Sequence, residues 1–243
     1  MTAQDPRFEQ AQFVDAPAVF PNNDVKYDTN KLRAEEFAAH RRTPLTYAAA
    51  QDTPSTAVLR EKPDIAVQKI KWLNRHDREC GDLYCMLPLV IGMPMALTVH
   101  IDRSPEKQVL RGTLCHVHSW VLDEGETIEY HEDFKVFSKL PRVVYVKFRD
   151  AQWTFPGLAE RGLYPIVPRR STWFLDRRKA HPQLNITRLQ LPLALAFGVT
   201  AHAAQGQTLA AAMVDLQIGI GISPIASYVA MTRVKTREDL LIF

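Results

Sequence analysis

The feature that most constrains this chain is a change of texture along it. Between Leu83 and Val167 the sequence breaks into short runs rich in β-branched and aromatic residues: Met95 to Ile101, Thr113 to Leu122, Arg142 to Phe148 and Tyr164 to Val167. Turn groups such as Asp123-Glu124-Gly125 and Phe155-Pro156-Gly157 punctuate them. Many short strands with frequent turns predict a small barrel rather than a layered sheet. From Leu189 onward the pattern changes. Leu189 to Ala204 reads as a helix opening near Pro192, Met213 to Ile218 as a buried strand, Pro224 to Thr232 as a helix and Leu240 to Phe243 as a last strand. Alternating buried strands and helices predict a parallel α/β sheet.

The start of the chain fits that second texture. Phe13 to Phe20 is apolar and ends at Pro21-Asn22-Asn23, a strand followed by turn residues, and Lys31 to His40 reads as a helix that stops before Pro44. Asp52 to Ser55 reads as a turn. The expected architecture is an α/β domain interrupted by a β-barrel insert. A chain of 243 residues, 46% hydrophobic, is long enough for that core.

Bulk properties exclude several classes. The longest apolar runs, Leu87 to Val99 and Leu191 to Thr200, are shorter than the roughly 20 residues of a membrane span, and Met1 to Gln12 lacks the basic-then-apolar order of a secretion signal. The expectation is a soluble intracellular protein. Three cysteines, Cys80, Cys85 and Cys115, are too few for a disulfide framework and imply a reducing compartment. Together with His76, His116 and His118 they supply metal-ligand atoms but no paired spacing, so no metal site is expected. The net charge of +3 permits a polyanionic partner without requiring one.

Two blocks carry the chemistry. Thr200, His202, Gln205, Gln207 and Thr208 gather hydrogen-bonding groups around Gly206, where the missing Cβ lets backbone approach an anion. A helix-to-strand turn with polar caps would use the same residue types. In the second block, Ser227 to Val234, Arg233 ends an apolar helical stretch, where a planar guanidinium can fork onto phosphate. The alternative there is a surface arginine paired with Glu238 or Asp239.

The order of these blocks resembles the PIF/RecD helicases of superfamily 1. Their pattern runs T-x-H-K-S-Q-G-x-T, then a strand ending in Asp, then Y-V-A-x-S-R. Here it stands as T-A-H-A-A-Q-G-Q-T from Thr200, Met213-Val214-Asp215-Leu216, and Y-V-A-M-T-R ending at Arg233. Leu189 to Leu193 matches the family's lead-in, and Val19 to Asn23 with Asn30 looks like the opening of its second RecA-like domain. Leu87 to Pro94 and Arg111-Gly112-Thr113 resemble the entry to its inserted Src-homology-3-like barrel.

The resemblance implies a RecA-like parallel sheet of the P-loop NTPase type over residues 1–80 and 188–243, interrupted by the barrel at 81–187. It implies that Arg233 is catalytic, reaching a γ-phosphate, and that Gln205 and Gly206 join it in contacting the nucleotide. Thr200, His202, Thr208 and Asn22 fall on the face toward single-stranded DNA. Arg169, Arg170, Arg177, Arg178 and Lys179 are candidates for a basic track, with Trp173 and Phe174 available for stacking. The implied enzyme is an ATP-dependent DNA helicase moving 5′ to 3′, of the kind used in repair, recombination and telomere maintenance, nuclear or mitochondrial if eukaryotic.

The sequence also departs from the pattern. Ala203-Ala204 replaces Lys-Ser, His100 replaces an asparagine, and Thr232 replaces a serine. None of the ten glycines is followed by lysine, so no P-loop is present. ATP and Mg2+ would then be held by an N-terminal RecA-like domain missing from this chain, and the chain alone is expected to be inactive. Trp120 to Glu124 imitates a magnesium-holding strand end, but with Gly125 next to it a hairpin is expected. The competing expectation is a truncated, non-catalytic module that binds nucleic acid or protein.

Overall fold

A computed structural model describes residues 6–14, 16–21, 23–62, 64–76, 79–81, 83–206, 208–216 and 224–243. After a 3-10 turn at Pro6–Glu9 come α1 (Ala11–Val14), β1 (Ala18–Phe20), α2 (Asn23–His40), β2 (Leu45–Ala49) and β3 (Gln51–Pro54). Two helices, α3 (Thr56–Glu61) and α4 (Ile65–Leu73), lead into β4 (Met86–Leu89), β5 (Pro94–Leu97), β6 (Leu114–Val121), β7 (Ile128–Tyr130) and β8 (Phe134–Phe137). Next are β9 (Val143–Lys147), β10 (Leu163–Ile166), β11 (Arg169–Phe174), β12 (Asn185–Gln190), β13 (Leu193–Leu195) and β14 (Gly198–Thr200). The chain closes with α5 (Ala201–Ala204), β15 (Ala212–Val214), α6 (Pro224–Met231) and β16 (Leu240–Ile242). These elements form two compact units, residues 1–37 with 195–243, and residues 38–194.

The first unit is α/β. Its sheet runs β14-β1-β15-β16, and β1 is parallel to both β14 and β15, as β15 is to β16. Ala18, Val19 and Phe20 are all buried, the signature of a central strand covered on both faces. Helix α2 buries Asn30 and Ala34, one turn apart on a single stripe. Asn30 acts as a latch. Its amide nitrogen donates to the carbonyls of Leu195 (3.2 Å) and Gly198 (2.9 Å), and its oxygen accepts from the Gly198 N–H (2.7 Å). Gly198 must be glycine, because a Cβ there would stand 2.7 Å from the Phe20 ring. Phe20 in turn meets Phe243 edge to face at 6.0 Å.

The second unit is β-rich, with sheets ordered β10-β9-β6-β5-β13, β11-β12-β3 and β4-β2-β8-β7. The pairs β10–β9, β9–β6 and β6–β5 are antiparallel. Strand β12 alternates half-buried and buried positions and carries two polar residues into the interior, Arg188 and Gln190. Arg188 forks onto Asp52 with Nε at 2.8 Å and Nη2 at 2.6 Å, and also donates to the Trp72 carbonyl (3.2 Å). Gln190 donates to the carbonyls of Ala48 and Tyr84 and accepts from the Leu191 N–H. Every charge and amide is satisfied, which is the condition for burying them.

Several local expectations are corrected. Leu189 to Ala204 is not a helix: it is the end of β12, then β13 and β14, and helix only over α5. Asp52 to Ser55 is not a turn, since Gln51–Pro54 pairs with β12 and Asp52 is drawn inward by Arg188. Residues 13–20 hold the end of a helix and a three-residue strand rather than one strand, and α2 begins at Asn23, not Lys31. Trp173 is 3% exposed and packs in the core beside Trp72, so it is no stacking platform for a ligand.

Candidate functional site

Ligands of parallel α/β sheets bind beyond the carboxyl ends of the strands. In the first unit those ends are Thr200 on β14, Phe20 on β1, Val214 on β15 and Ile242 on β16. Thr200 therefore leaves the sheet at this edge and starts α5. Its backbone is extended (φ −89°, ψ 153°) and its Oγ1 accepts the Ala203 N–H at 3.2 Å, a helix N-cap. That hydroxyl is occupied by the fold itself.

Helix α5 is a single turn. Ala201 and Ala204 face inward and are buried, whereas His202, Ala203 and Gln205 face outward. Of the two alanines that depart from the helicase pattern, Ala204 thus occupies an interior position, and only Ala203 alters the surface. Gln205 caps the helix through its N–H to the His202 carbonyl (3.3 Å). Gly206 follows with φ +79°, and nothing lies within 4 Å of the place a Cβ would take. Glycine here serves the left-handed backbone, and it leaves one side of the turn open. Thr208 is exposed, while Gln207 and Asn22 lie outside the described residues.

The turn is joined to the second block. The Leu209 N–H donates to the Arg233 carbonyl at 2.8 Å, and α5 packs on α6. Helix α6 buries Ser227 and Ala230 and delivers Arg233 just past its last turn. The Arg233 Nε donates to the Val229 carbonyl (2.8 Å) and Nη2 to the Thr232 hydroxyl (2.9 Å). The guanidinium thereby caps the negative end of its own helix. Thr232 also donates to the Val229 carbonyl at 3.1 Å.

The alternative partners are occupied elsewhere or apart. Asp239 accepts from the Thr236 hydroxyl at 2.8 Å, and Glu238 meets Gln12 through its backbone oxygen at 3.0 Å. Among the described residues no carboxylate pairs with Arg233. A half-buried guanidinium without an anion has spare donors suited to a phosphate.

The basic track of the second unit is thinner than its sequence. Arg177 pairs with Glu79 at 2.6 Å and Lys179 with Asp176 at 3.5 Å, leaving Arg169, Arg170 and Arg178 exposed. Asp123-Glu124 stands at a turn with Gly125 at φ +81°, and Asp123 lies 3.9 Å from Arg142. Among the described residues no three metal-ligating side chains meet, and no helix is long and apolar enough to cross a membrane. The sequence reading missed the cluster around Arg188, because its partner Asp52 lies 136 residues away.

No family model and no curated protein matches the sequence. Solved structures do match its fold. The Pif1 helicase from Candida albicans is 19% identical, with a TM-score of 0.61 over 99% of this chain and 47% of that one. A Bacteroides Pif1 helicase in complex with ADP-AlF3 and ssDNA is 16% identical, with a TM-score of 0.54 over 99% of this chain and 42% of that one. Bacteroides Pif1 bound to ssDNA is 15% identical, with a TM-score of 0.53 over 93% and 40%. The chain spans less than half the length of these helicases, and over that length it has their mixed α/β fold with a parallel RecA-like sheet.

Proposed function

We propose that this chain is the second motor domain, with a barrel-like insert at 81–187, of an ATP-dependent DNA helicase moving 5′ to 3′ on single strands. The observation that carries the reading is Arg233, whose carbonyl is bonded to the N–H of Leu209, three residues beyond Gly206, and whose guanidinium has no carboxylate partner among the described residues. In this role Arg233 leaves its helix cap to meet a γ-phosphate and is the catalytic residue of the chain. Gln205 and Gly206 couple that nucleotide to the strand, and Thr200, His202, Thr208 and Asn22 line the DNA side. Thr200 acts through its cap, setting the angle at which α5 and His202 leave the sheet.

ATP and Mg2+ would be held by a P-loop domain outside these residues, the metal supplying charge neutralisation of the phosphates. The residues here supply the opposing cation and the strand groove. The likeness to a Pif1 helicase that binds ADP-AlF3 and ssDNA supports both partners.

Binding of a fluorescent oligothymidylate, followed by anisotropy from low to high salt, tests the DNA half of the reading. Affinity falling log-linearly with salt is expected from phosphate contacts, and a flat response contradicts any basic groove.

A second reading is favoured by one observation, the exposed Ala203 where the helicase pattern has lysine. It makes the chain a non-catalytic binding module. An in-frame G-x-x-x-x-G-K upstream of residue 1 in the transcript decides for the motor, and its absence decides for the module.

A further inference from the structure

Helix α4 is apolar on both of its faces, and the fold covers only one. Trp72 is 1% exposed, and with Ile65 and Leu73 it packs in a core that includes Val58, Trp173, Leu184 and Ile186. The opposite face carries Ala66, Val67 and Ile70, all exposed, with Val67 at 44% and Ile70 at 63%. Ile70 follows Ala66 by four residues and Val67 by three, so the three side chains make one stripe. On α3, whose Val58 enters the same core, Leu59 is exposed as well. A helix that is apolar all round is ordinarily covered all round. Here one side meets water.

Lysines rim the stripe. Lys69 follows Ala66 by three residues and Lys71 follows Val67 by four, which puts one ammonium on each side of it. Both lysines are exposed, and among the described residues no carboxylate pairs with either. Glu61 ends α3 and Asp64 precedes the first turn of α4, so neither acid lies along the stripe.

This pattern selects among occupants. Phosphates would take the lysines and leave the apolar row bare, so a nucleic acid accounts for half of it. A second copy of the chain would set ammonium against ammonium, a like-charge cost. An anionic bilayer calls for a broader apolar face with Trp, Phe or Leu, whereas this helix of nine residues offers a valine, an isoleucine and an alanine. A helix with an apolar centre and acidic borders satisfies the stripe and both rims, as glutamates flanking the seam of paired helices do.

We propose that the outer face of α4 docks an amphipathic helix of another protein, apolar along its centre and bordered by glutamate or aspartate. Val67 and Ile70 enter between its apolar side chains, and Lys69 and Lys71 meet its carboxylates. The apolar contact supplies affinity, and the two lysines supply the choice of partner. The contact needs neither nucleotide nor DNA strand, so it stands independently of the motor reading.

The test uses the whole chain and a fluorescein-labelled helical peptide with leucines at i, i+3, i+4 and i+7 and glutamates on both borders. A twin peptide carries lysines in place of the glutamates. In anisotropy titrations the glutamate peptide is expected to bind at least about tenfold tighter than its twin. Ile70→Ser should weaken that binding by about tenfold, and Lys69→Glu with Lys71→Glu should reverse the preference toward the lysine peptide. All three positions are exposed, so thermal melts of the variants should match wild type. Equal affinity for the two peptides, no binding of the glutamate peptide, or undiminished binding by Ile70→Ser overturns the proposal. So does a dimer of the chain in sedimentation that Ile70→Ser dissolves, or capture by phosphatidylserine vesicles that Ile70→Ser abolishes.

Discussion

Leu209 and Arg233 are joined by a backbone hydrogen bond of 2.8 Å, and through it the turn after α5 and the end of α6 become one structural unit. Two blocks apart in sequence thus converge where a parallel sheet presents its strand ends. Disturbing either block should therefore disturb the other.

Thr200→Ala removes the N-cap of α5. A loss of about 1 kcal/mol in urea-unfolding stability is expected, with Thr200→Ser retaining most of it. Unchanged stability with lost strand binding would instead assign the hydroxyl to DNA directly.

Asn30→Ala strips three hydrogen bonds from the β13–β14 connection, two from carbonyls and one from the Gly198 N–H. Leaving buried backbone groups unpaired should cost about 3 kcal/mol. Asn30→Asp should be no rescue, because a carboxylate cannot donate to Leu195 and Gly198. Near-wild-type stability of either variant would show that the latch contributes little.

Much of this was legible in the sequence, and the failures have physical causes. The parallel sheet, the α6 helix and the closing strand follow from apolar runs of the right length. The stretch from Leu189 to Ala204 misled because an apolar run fits a buried strand as well as a helix. Val199 and Thr200 are β-branched, and Gly198 sits where only the Phe20 ring explains it. Asp52 read as a turn former because its reason for being in a strand, Arg188, is remote in sequence. Arg233 was placed correctly at the end of a helix, but its cap on Val229 depends on backbone geometry that spacing does not reveal.

Arg188→Met should be strongly destabilising, by about 3–5 kcal/mol, since it leaves the Asp52 carboxylate buried without its partner. The double change Arg188→Met with Asp52→Leu should recover a large part of the loss. Equal destabilisation of single and double variants in chemical denaturation would refute the account of this pair.

Asp102 contributes to the acid response of the second unit. Hydrogen bonds from Ser104, then from Lys107, hold its carboxyl down to about 2 from an ordinary 3.8. A depressed folded value contributes stability above the unfolded value, lost as pH falls from about 4 through about 2. Thermal melts across that window should show a smaller acid drop for Asp102→Asn than for wild type; identical profiles would remove Asp102 from the acid response.

The most direct test places this chain behind a P-loop RecA-like domain in one polypeptide and measures single-strand-stimulated ATP turnover for wild type and Arg233→Ala. Loss of at least about a thousandfold in kcat, with oligothymidylate affinity retained, is the outcome expected of an arginine that meets the γ-phosphate. Wild-type turnover in the Arg233→Ala protein would contradict it.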